Sequence, residues 1–156
     1  MHDGQDSGRA ANLPAMPSLV VGGTEFERVA IHVRGSAPSV DWERPYEDWI
    51  GADVELAVGG FRGAFSCMLF AADFRRFADE LRAMQRGARN EAAFTTLEEQ
   101  IGFELRVDAR GHMAVTGEAC DRDGIGNVLR WRLDLDQSFL PGMIRAAEAI
   151  AAPPAG

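Results

Sequence analysis

The stretch that decides the fold is VELAVGGFRGAFSCMLFAADFRRFADELRAM, which runs from Val54 to Met84. In its first half apolar residues alternate with polar or small ones, and this period of two predicts β-strands. Gly59 and Gly60 predict a two-residue turn between them, because glycine accepts the positive φ that such turns require. Counting outward from the turn, we expect a register that pairs Val58 with Phe61, Leu56 with Gly63 and Val54 with Phe65.

The second half of the stretch changes to helical spacing and carries one apolar stripe. Asp73 precedes this stripe and is a predicted N-cap, and Gly87 is a predicted C-terminal stop. The stripe must be buried, and the nearest partner along the chain is the apolar face of the hairpin. We therefore predict an antiparallel hairpin over Val54–Val58 and Phe61–Phe70 and a helix over Asp73–Met84 packed on the sheet. The stripe comprises Phe74, Phe77, Ala78, Leu81 and Met84.

Further strands follow from the same alternation. A three-residue hairpin loop is predicted at Ala109, Arg110 and Gly111. This loop length pairs Val107 with Met113 and keeps the apolar faces in phase, whereas a two-residue loop would not. The other predicted strands are Glu25–Arg34, Ala92–Leu97, Ile101–Asp108 and Val128–Leu135.

A second helix is predicted near the C-terminus, with a cap at Asp136 or Ser138 and Pro141 in its first turn. Each half of the chain thus ends with a strand, an aspartate and an amphipathic helix. We expect both helices to enter the same face of the sheet. The predicted fold class is α+β: a mostly antiparallel sheet of about seven strands with two amphipathic helices packed on it. The stripe of the second helix comprises Leu140, Met143, Ile144, Ala147 and Ile150.

The length of 156 residues suits one domain with a sizeable core. Residues 1–18 have no periodicity, so we expect a mobile N-terminal tail there, a single α+β domain over 19–152 and a short C-terminal tail over 153–156. No apolar run reaches the ~20 residues of a membrane helix. The N-terminus shows no export signal. We expect a cytoplasmic protein that does not bind membranes.

The net charge limits the expected classes of binding partner, and the cysteine count argues against a disulfide framework. All 16 basic residues are arginine, the net charge is −8 and the pI is near 4.8, so nucleic acid is not an expected partner. A basic protein partner is compatible with this charge, although solubility alone would also explain it. Cys67 and Cys120 are too few for a disulfide framework, and Cys67 lies on the apolar face of the hairpin.

Residue types that support catalysis or cofactor binding are present, but their spacing matches no catalytic or ligand-binding motif. The three histidines, His2, His32 and His112, have no metal-ligand spacing with one another or with the cysteines. Asp121, Asp123 and Gly124 lack the downstream glutamate of a calcium loop. No nucleophile elbow or phosphate-binding loop is present. We therefore predict neither an enzyme nor a bound metal or cofactor.

Two loops remain as candidate recognition surfaces once the strands and helices are assigned to the core. The loop from Asp41 to Trp49 combines aromatic and acidic residues, the composition of an interface hot spot within a charged rim. The alternative interpretation is that its aromatic residues cover one end of the sheet. The acidic loop Asp121–Gly126 is the second candidate. The predicted partner-binding residues are Asp41, Trp42, Glu43, Tyr46, Glu47, Asp48, Asp121 and Asp123.

Several short motifs, in their order and spacing, resemble the WapI family of immunity proteins. The first is Val58–Phe65, VGGFRGAF, followed by Asp73-Phe74 and Phe77 on a helix. The others are Trp49-Ile50, Leu97–Ile101 and Asp136–Leu140. The resemblance covers roughly Phe26 to Ile150. A glutamate at position 99 departs from the glycine that the family motif has there.

The resemblance implies a function that the residues alone do not. The named member of that family protects its cell from the toxic nuclease domain of a contact-dependent toxin. By this resemblance the protein would be a small cytosolic binder that neutralises a cognate toxin domain. The alternative is a non-catalytic ligand-binding or housekeeping domain that shares the fold.

Overall fold

The structure is a computed structural model that describes residues 17–36 and 49–152. Within these residues the chain forms two antiparallel sheets of four strands each, and every sheet is followed in sequence by one helix. The first half contains β1 (Ser18–Thr24), β2 (Glu27–Ser36), β3 (Trp49–Val58), β4 (Phe61–Phe70) and α1 (Ala71–Gln85). The second half contains β5 (Glu91–Phe94), β6 (Ile101–Val107), β7 (His112–Cys120), β8 (Val128–Asp136) and α2 (Leu140–Ala151).

The α+β class with antiparallel strands and two helices is confirmed. The described residues form eight strands, because β1 adds one that the sequence did not predict. These strands are divided between two sheets in the orders β1-β2-β3-β4 and β5-β6-β7-β8. Residues 1–16 of the predicted tail and residues 153–156 lie outside the described part of the chain. None of the helices in residues 17–36 and 49–152 is long and apolar enough to cross a membrane.

The predicted β3–β4 hairpin is confirmed residue by residue. Val58 pairs with Phe61, Leu56 with Gly63 and Val54 with Phe65. Gly59 has φ +64, the left-handed conformation that the turn was expected to need. The pairing continues beyond the predicted region to Trp49 opposite Phe70, because β3 begins five residues earlier than the alternation suggested.

The prediction that Asp73 is the N-cap residue of α1 is wrong. The helix follows β4 without a loop, so Phe70 is the N-cap and Asp73 is the third helical residue. From there the Asp73 carboxylate accepts a hydrogen bond from the backbone N–H of Phe70 at 3.0 Å. A carboxylate in the first turn also offsets the partial positive charge of the helix end. Gly87 has φ +76, as a C-terminal stop requires.

The apolar stripe of α1 is buried, but its main partner is not the preceding hairpin. The rings of Phe74 and Phe77 lie 5.1 Å and 5.6 Å from that of Phe94 on β5, and Phe77 is 5.4 Å from Phe103 on β6. The remaining contacts of α1 are mostly with α2, which itself lies against β1. Each helix therefore packs against an edge strand of the other half, and the two halves share one continuous core.

The second half follows the predicted local rules closely. Val107 pairs with Met113, and Gly111 has φ +83 in the three-residue loop between β6 and β7. The Asp136 carboxylate accepts a hydrogen bond from the Ser138 N–H at 2.8 Å and caps a short 3-10 helix that leads into α2. The predicted stripe of α2 is buried.

Candidate functional site

An open cleft of about 570 Å³ lies where the first sheet meets the two loops that extend from one end of the second sheet. One loop connects β5 to β6, and the other connects β7 to β8. Among the residues that line the cleft, Arg34 and Trp49 are nearest in sequence to residues 37–48, which lie outside the described part of the chain. The cleft is lined by Arg34, Trp49, Ser66, Cys67, Met68, Glu98, Gln100 and Asp123.

The predicted aromatic loop falls almost wholly outside the described residues. This applies to six of the predicted partner-binding residues, Asp41, Trp42, Glu43, Tyr46, Glu47 and Asp48. Trp49, at the end of that loop, is the first residue of β3. Its half-buried ring lies 4.1 Å from that of Phe70, so Trp49 itself serves to cover the end of the sheet.

Asp121 holds the β7–β8 loop closed. Its carboxylate accepts hydrogen bonds from the backbone N–H of Asn127 at 2.7 Å and from the side-chain amide of Asn127 at 3.1 Å. These bonds lower the pKa of the Asp121 carboxyl. A side chain at Gly126 would collide with the Asp121 carboxylate, because the added Cβ would lie 2.2 Å from its oxygen. The exposed Asp121 therefore has a defined role in shaping the loop.

Asp123 lies on the same loop but faces the cleft, where it meets Glu98 from the β5–β6 loop. The hydrogen bond between the two side chains, and then the negative charge of Asp123, raise the pKa of the Glu98 carboxyl. Two adjacent carboxyl groups cannot both ionise freely, so the Glu98 carboxyl holds its proton more tightly than an isolated acid does. The structure thus brings together two acids that are 25 residues apart in sequence.

Two exposed apolar side chains accompany these acids. Leu97 precedes Glu98 and is 72% exposed, and Ile125 follows Asp123 by two residues and is 85% exposed. The sequence did not single out Leu97, Glu98 or Ile125. Leu97 was placed at the end of a predicted strand, whereas β5 ends at Phe94. For Leu97 and Glu98 the available signal was a single leucine flanked by five polar residues, Thr95, Thr96 and Glu98 to Gln100.

The basic and nucleophilic groups of the cleft are already engaged. The Arg34 guanidinium lies 3.4 Å from the Asp53 carboxylate, which also accepts a hydrogen bond from the Ser66 hydroxyl at 2.6 Å. Burial raises the pKa of the Cys67 thiol to about 11, with the charge of Asp53 adding to the effect. A thiol that stays protonated at neutral pH is a poor nucleophile. These described residues favour binding by the cleft over covalent chemistry.

No metal centre is apparent in the described part of the chain, since no three or more histidine, cysteine, aspartate or glutamate side chains there are grouped to hold an ion. His32 instead bonds to the Ser18 hydroxyl at 2.7 Å and to the Glu55 carboxylate at 3.2 Å. His112 lies 3.3 Å from the Asp134 carboxylate. Both histidines lie on the polar outer faces of their sheets.

The fold is that of an α+β protein with an open cleft beside the loops that carry Glu98 and Asp123. Residues 20–154 match the model of the Immunity protein WapI-like family. Because the match covers most of the chain, the protein belongs to that family. This confirms the resemblance that the short motifs indicated.

Other comparisons add less. No curated protein matches the chain. A solved structure described as "Crystal structures of trypanosoma bruciei MRP1/MRP2" is similar over 94% of this chain and 89% of that chain, with 14% sequence identity and a TM-score of 0.47.

The closure of the β7–β8 loop should depend on pH with a predictable sign. Because the folded-state pKa of Asp121 is lowered, its carboxylate stays ionised and the loop stays closed above the ordinary aspartate pKa of about 3.9. Closure is lost as the pH falls through the lowered value. We expect the NMR signal of the Asn127 side-chain amide to titrate with a midpoint below about 3.9. The same signal in Asp121→Asn should show no such transition; an unchanged titration would contradict this role for Asp121.

Proposed function

We propose that the protein is an immunity-type protein that binds a cognate toxin domain and neutralises it by protein–protein contact. Membership of the WapI-like immunity family is the observation that carries this proposal. In this proposal the protein acts in the cytoplasm as a binder and not as an enzyme. Arg34 is paired with Asp53 and burial keeps the Cys67 thiol protonated, so neither residue is available as a reactive group, which is compatible with a non-catalytic role.

The proposed partner is a basic domain, of the kind that nuclease toxins have because their substrate is a polyanion. The protein carries a net charge of −8, which would attract such a domain over distances of about one Debye length. Complementary charge of this kind mainly raises the association rate and makes it sensitive to salt. We therefore expect the association rate to fall steeply as the ionic strength rises.

The proposed contact surface combines the two loops that the sequence singled out with the β5–β6 loop, which the structure places beside the β7–β8 loop. On the described side, Leu97 and Ile125 supply exposed apolar area beside the acids Glu98 and Asp123. Apolar anchors inside a charged rim are the usual composition of an interface hot spot. Asp121 contributes by holding the loop in shape. From the sequence, Asp41, Trp42, Glu43, Tyr46, Glu47 and Asp48 complete the proposed surface.

The test is co-expression with a candidate toxin domain sought among the genes next to this one, scored as protection of the cell and as affinity in vitro. Ile125→Ala and Trp42→Ala should each weaken binding about thirtyfold or more, the effect of removing a hot-spot anchor. Asp123→Asn and Asp121→Ala should weaken it less. Asp79→Asn is the matched control, because Asp79 is an exposed aspartate on α1, away from the cleft.

The outcomes separate the function from the site. If wild-type protein neither binds nor protects, the immunity proposal fails for this toxin, and the alternative of a ligand-binding or housekeeping domain gains support. If wild type protects and every folded variant protects equally well, the function stands and the proposed surface is wrong. Selective loss in Ile125→Ala or Trp42→Ala, with Asp79→Asn unaffected, supports both.

A further inference from the structure

The β4 strand forms one edge of the first sheet and pairs only with β3 among the described strands. Its residues from Phe61 to Ala64 are exposed, and the ring of Phe61 itself is 64% exposed. The strand is ten residues long and Arg62 is its single charged residue. A long, weakly charged, exposed edge is a template for pairing with another strand.

The hairpin geometry identifies which backbone groups are free. A two-residue turn makes Val58 and Phe61 a hydrogen-bonded pair, and such pairs then alternate along an antiparallel ladder. The N–H and C=O groups of Phe61 and of every second residue after it therefore point to β3. Those of the intervening residues point to the open edge. These residues are Arg62, Ala64, Ser66 and Met68, whose side chains are also exposed.

The other sheet edges in the described structure are protected. In β8 every second residue from Arg130 to Asp136 is charged, and these charges oppose pairing with another strand. β5 is only four residues long and lies under α1. β1 lies against α2, and its register is interrupted by a bulge between Gly22 and Thr24. Only β4 combines length, exposure and low charge.

We propose that β4 pairs in antiparallel fashion with β4 of a second copy of this chain, around a two-fold axis at Ala64. A two-fold axis perpendicular to the sheet leaves the inner faces of both copies on the same side of the joined sheet. Inner-face residues must therefore pair with inner-face residues, and outer-face residues with outer-face residues. Pairing around Ala64 uses the free backbone groups and places Arg62 opposite Ser66 of the second copy. The two four-stranded sheets would then form one continuous sheet of about eight strands.

The side chains of β4 suit a second copy in this register. On the inner face, Phe65 would lie opposite Gly63 of the second copy, and the ring could cover the space that glycine leaves. On the axis itself, Ala64 would meet the same small residue. In this register Phe65 lies opposite a glycine and Ala64 lies opposite an alanine, so neither pair is overcrowded.

Charge also favours pairing with a second copy. Because Arg62 is the only charge on the strand, no two like charges face each other across the axis. Its position opposite Ser66 would bring the guanidinium beside Asp53, which accepts a hydrogen bond from the Ser66 hydroxyl at 2.6 Å. The partner strand thus supplies a second cation, in addition to Arg34 at 3.4 Å, next to a carboxylate that is about half exposed.

The first test measures the mass of the full-length protein by sedimentation equilibrium up to submillimolar concentration. We expect a dimer for wild type. Ala64→Lys and Ala64→Glu each place like charges opposite one another at the axis and should raise the dissociation constant about tenfold or more. An equimolar mixture of the two variants should dimerise again, because the opposed charges are then complementary. Thr116→Lys, on the outer face of the internal strand β7, is the control and should leave the dissociation constant unchanged.

Hydrogen exchange on wild type gives a second, independent readout. The amides of Arg62, Ala64, Ser66 and Met68 should become protected as the protein concentration rises, while those of Phe61 and Phe65 are protected throughout. This measurement decides the matter even if a charged variant at position 64 fails to fold. A wild-type protein that stays monomeric, a dimer that both Ala64 variants leave intact, or edge amides that exchange at the same rate at all concentrations would each overturn the proposal.

Discussion

Replacing Phe77 with alanine should lower the free energy of unfolding by about 3–5 kcal/mol, the largest effect we expect from a single substitution in this protein. Phe77 is fully buried and makes edge-on contacts with Phe94 and Phe103, at 5.6 Å and 5.4 Å between ring centroids. The truncation removes apolar surface from the core and leaves a cavity between α1 and the second sheet. Such a loss is a large share of the ~5–15 kcal/mol that stabilises an ordinary domain.

Phe26→Ala is the matched control, because the same atoms are removed from a ring that is 58% exposed. It should cost less than about 1 kcal/mol, including the loss of the contact with the Arg62 guanidinium at 5.3 Å. The measurement is chemical denaturation of both variants at equal protein concentration. A loss below about 1 kcal/mol for Phe77→Ala would show that this side chain does not anchor the core.

Gly117→Ala should be the second most damaging change, with an expected cost of about 1–3 kcal/mol from overpacking. The indole of Trp131 lies directly over this glycine. An added Cβ would come within 2.3 Å of the Trp131 ring and 2.7 Å of the Gly102 carbonyl oxygen. The ring is buried against Phe103, and the backbone oxygen is held in the sheet, so neither can move away at low cost.

Gly102→Ala is the control for this substitution, since it introduces the same methyl group into the neighbouring strand. At that position the nearest atom would be the Phe94 carbonyl oxygen at 3.5 Å, an ordinary contact distance. Thermal unfolding of the two variants should therefore differ clearly. Equal melting temperatures for Gly117→Ala and wild type would mean that Trp131 can be displaced without cost.

The sequence was most informative where structure depends on neighbours along the chain. The β3–β4 register followed from a two-residue glycine turn, and the β6–β7 register followed from a three-residue loop. In both hairpins one local turn determines every pair beyond it, because a slip by one residue would expose the whole apolar face. The burial of both helix stripes followed from their periodicity in the same way.

Errors arose where a local signal had more than one structural solution. An aspartate near a helix start caps it from the N-cap or from the third residue, and Asp73 does so from the third because β4 runs directly into α1. β1 was missed because its sequence, SLVVGGT, has two adjacent valines and two adjacent glycines in place of a clear alternation. The strand forms because β2 offers it an edge to pair with.

The candidate site shows the same division. The sequence alone identified the β7–β8 loop and its acids, and the short motifs indicated the family. It could not distinguish Asp121, which bonds to Asn127 within the loop, from Asp123, which faces Glu98 across the cleft. That difference depends on how the β5–β6 loop lies beside the β7–β8 loop. The two loops are brought together only by the strand pairing of the second sheet.

By itself, the sequence determined the two hairpin registers, the two buried helix faces, the α+β class and the acidic charge, because each depends on spacing or composition. Only the tertiary structure decided that the strands form two sheets and that α1 packs against β5 while α2 packs against β1. It also decided that Leu97, Glu98, Asp123 and Ile125 lie on neighbouring loops at one end of the second sheet. An apolar stripe specifies that a helix must be buried, but the partner that buries it is chosen by which packing leaves the least apolar surface in water.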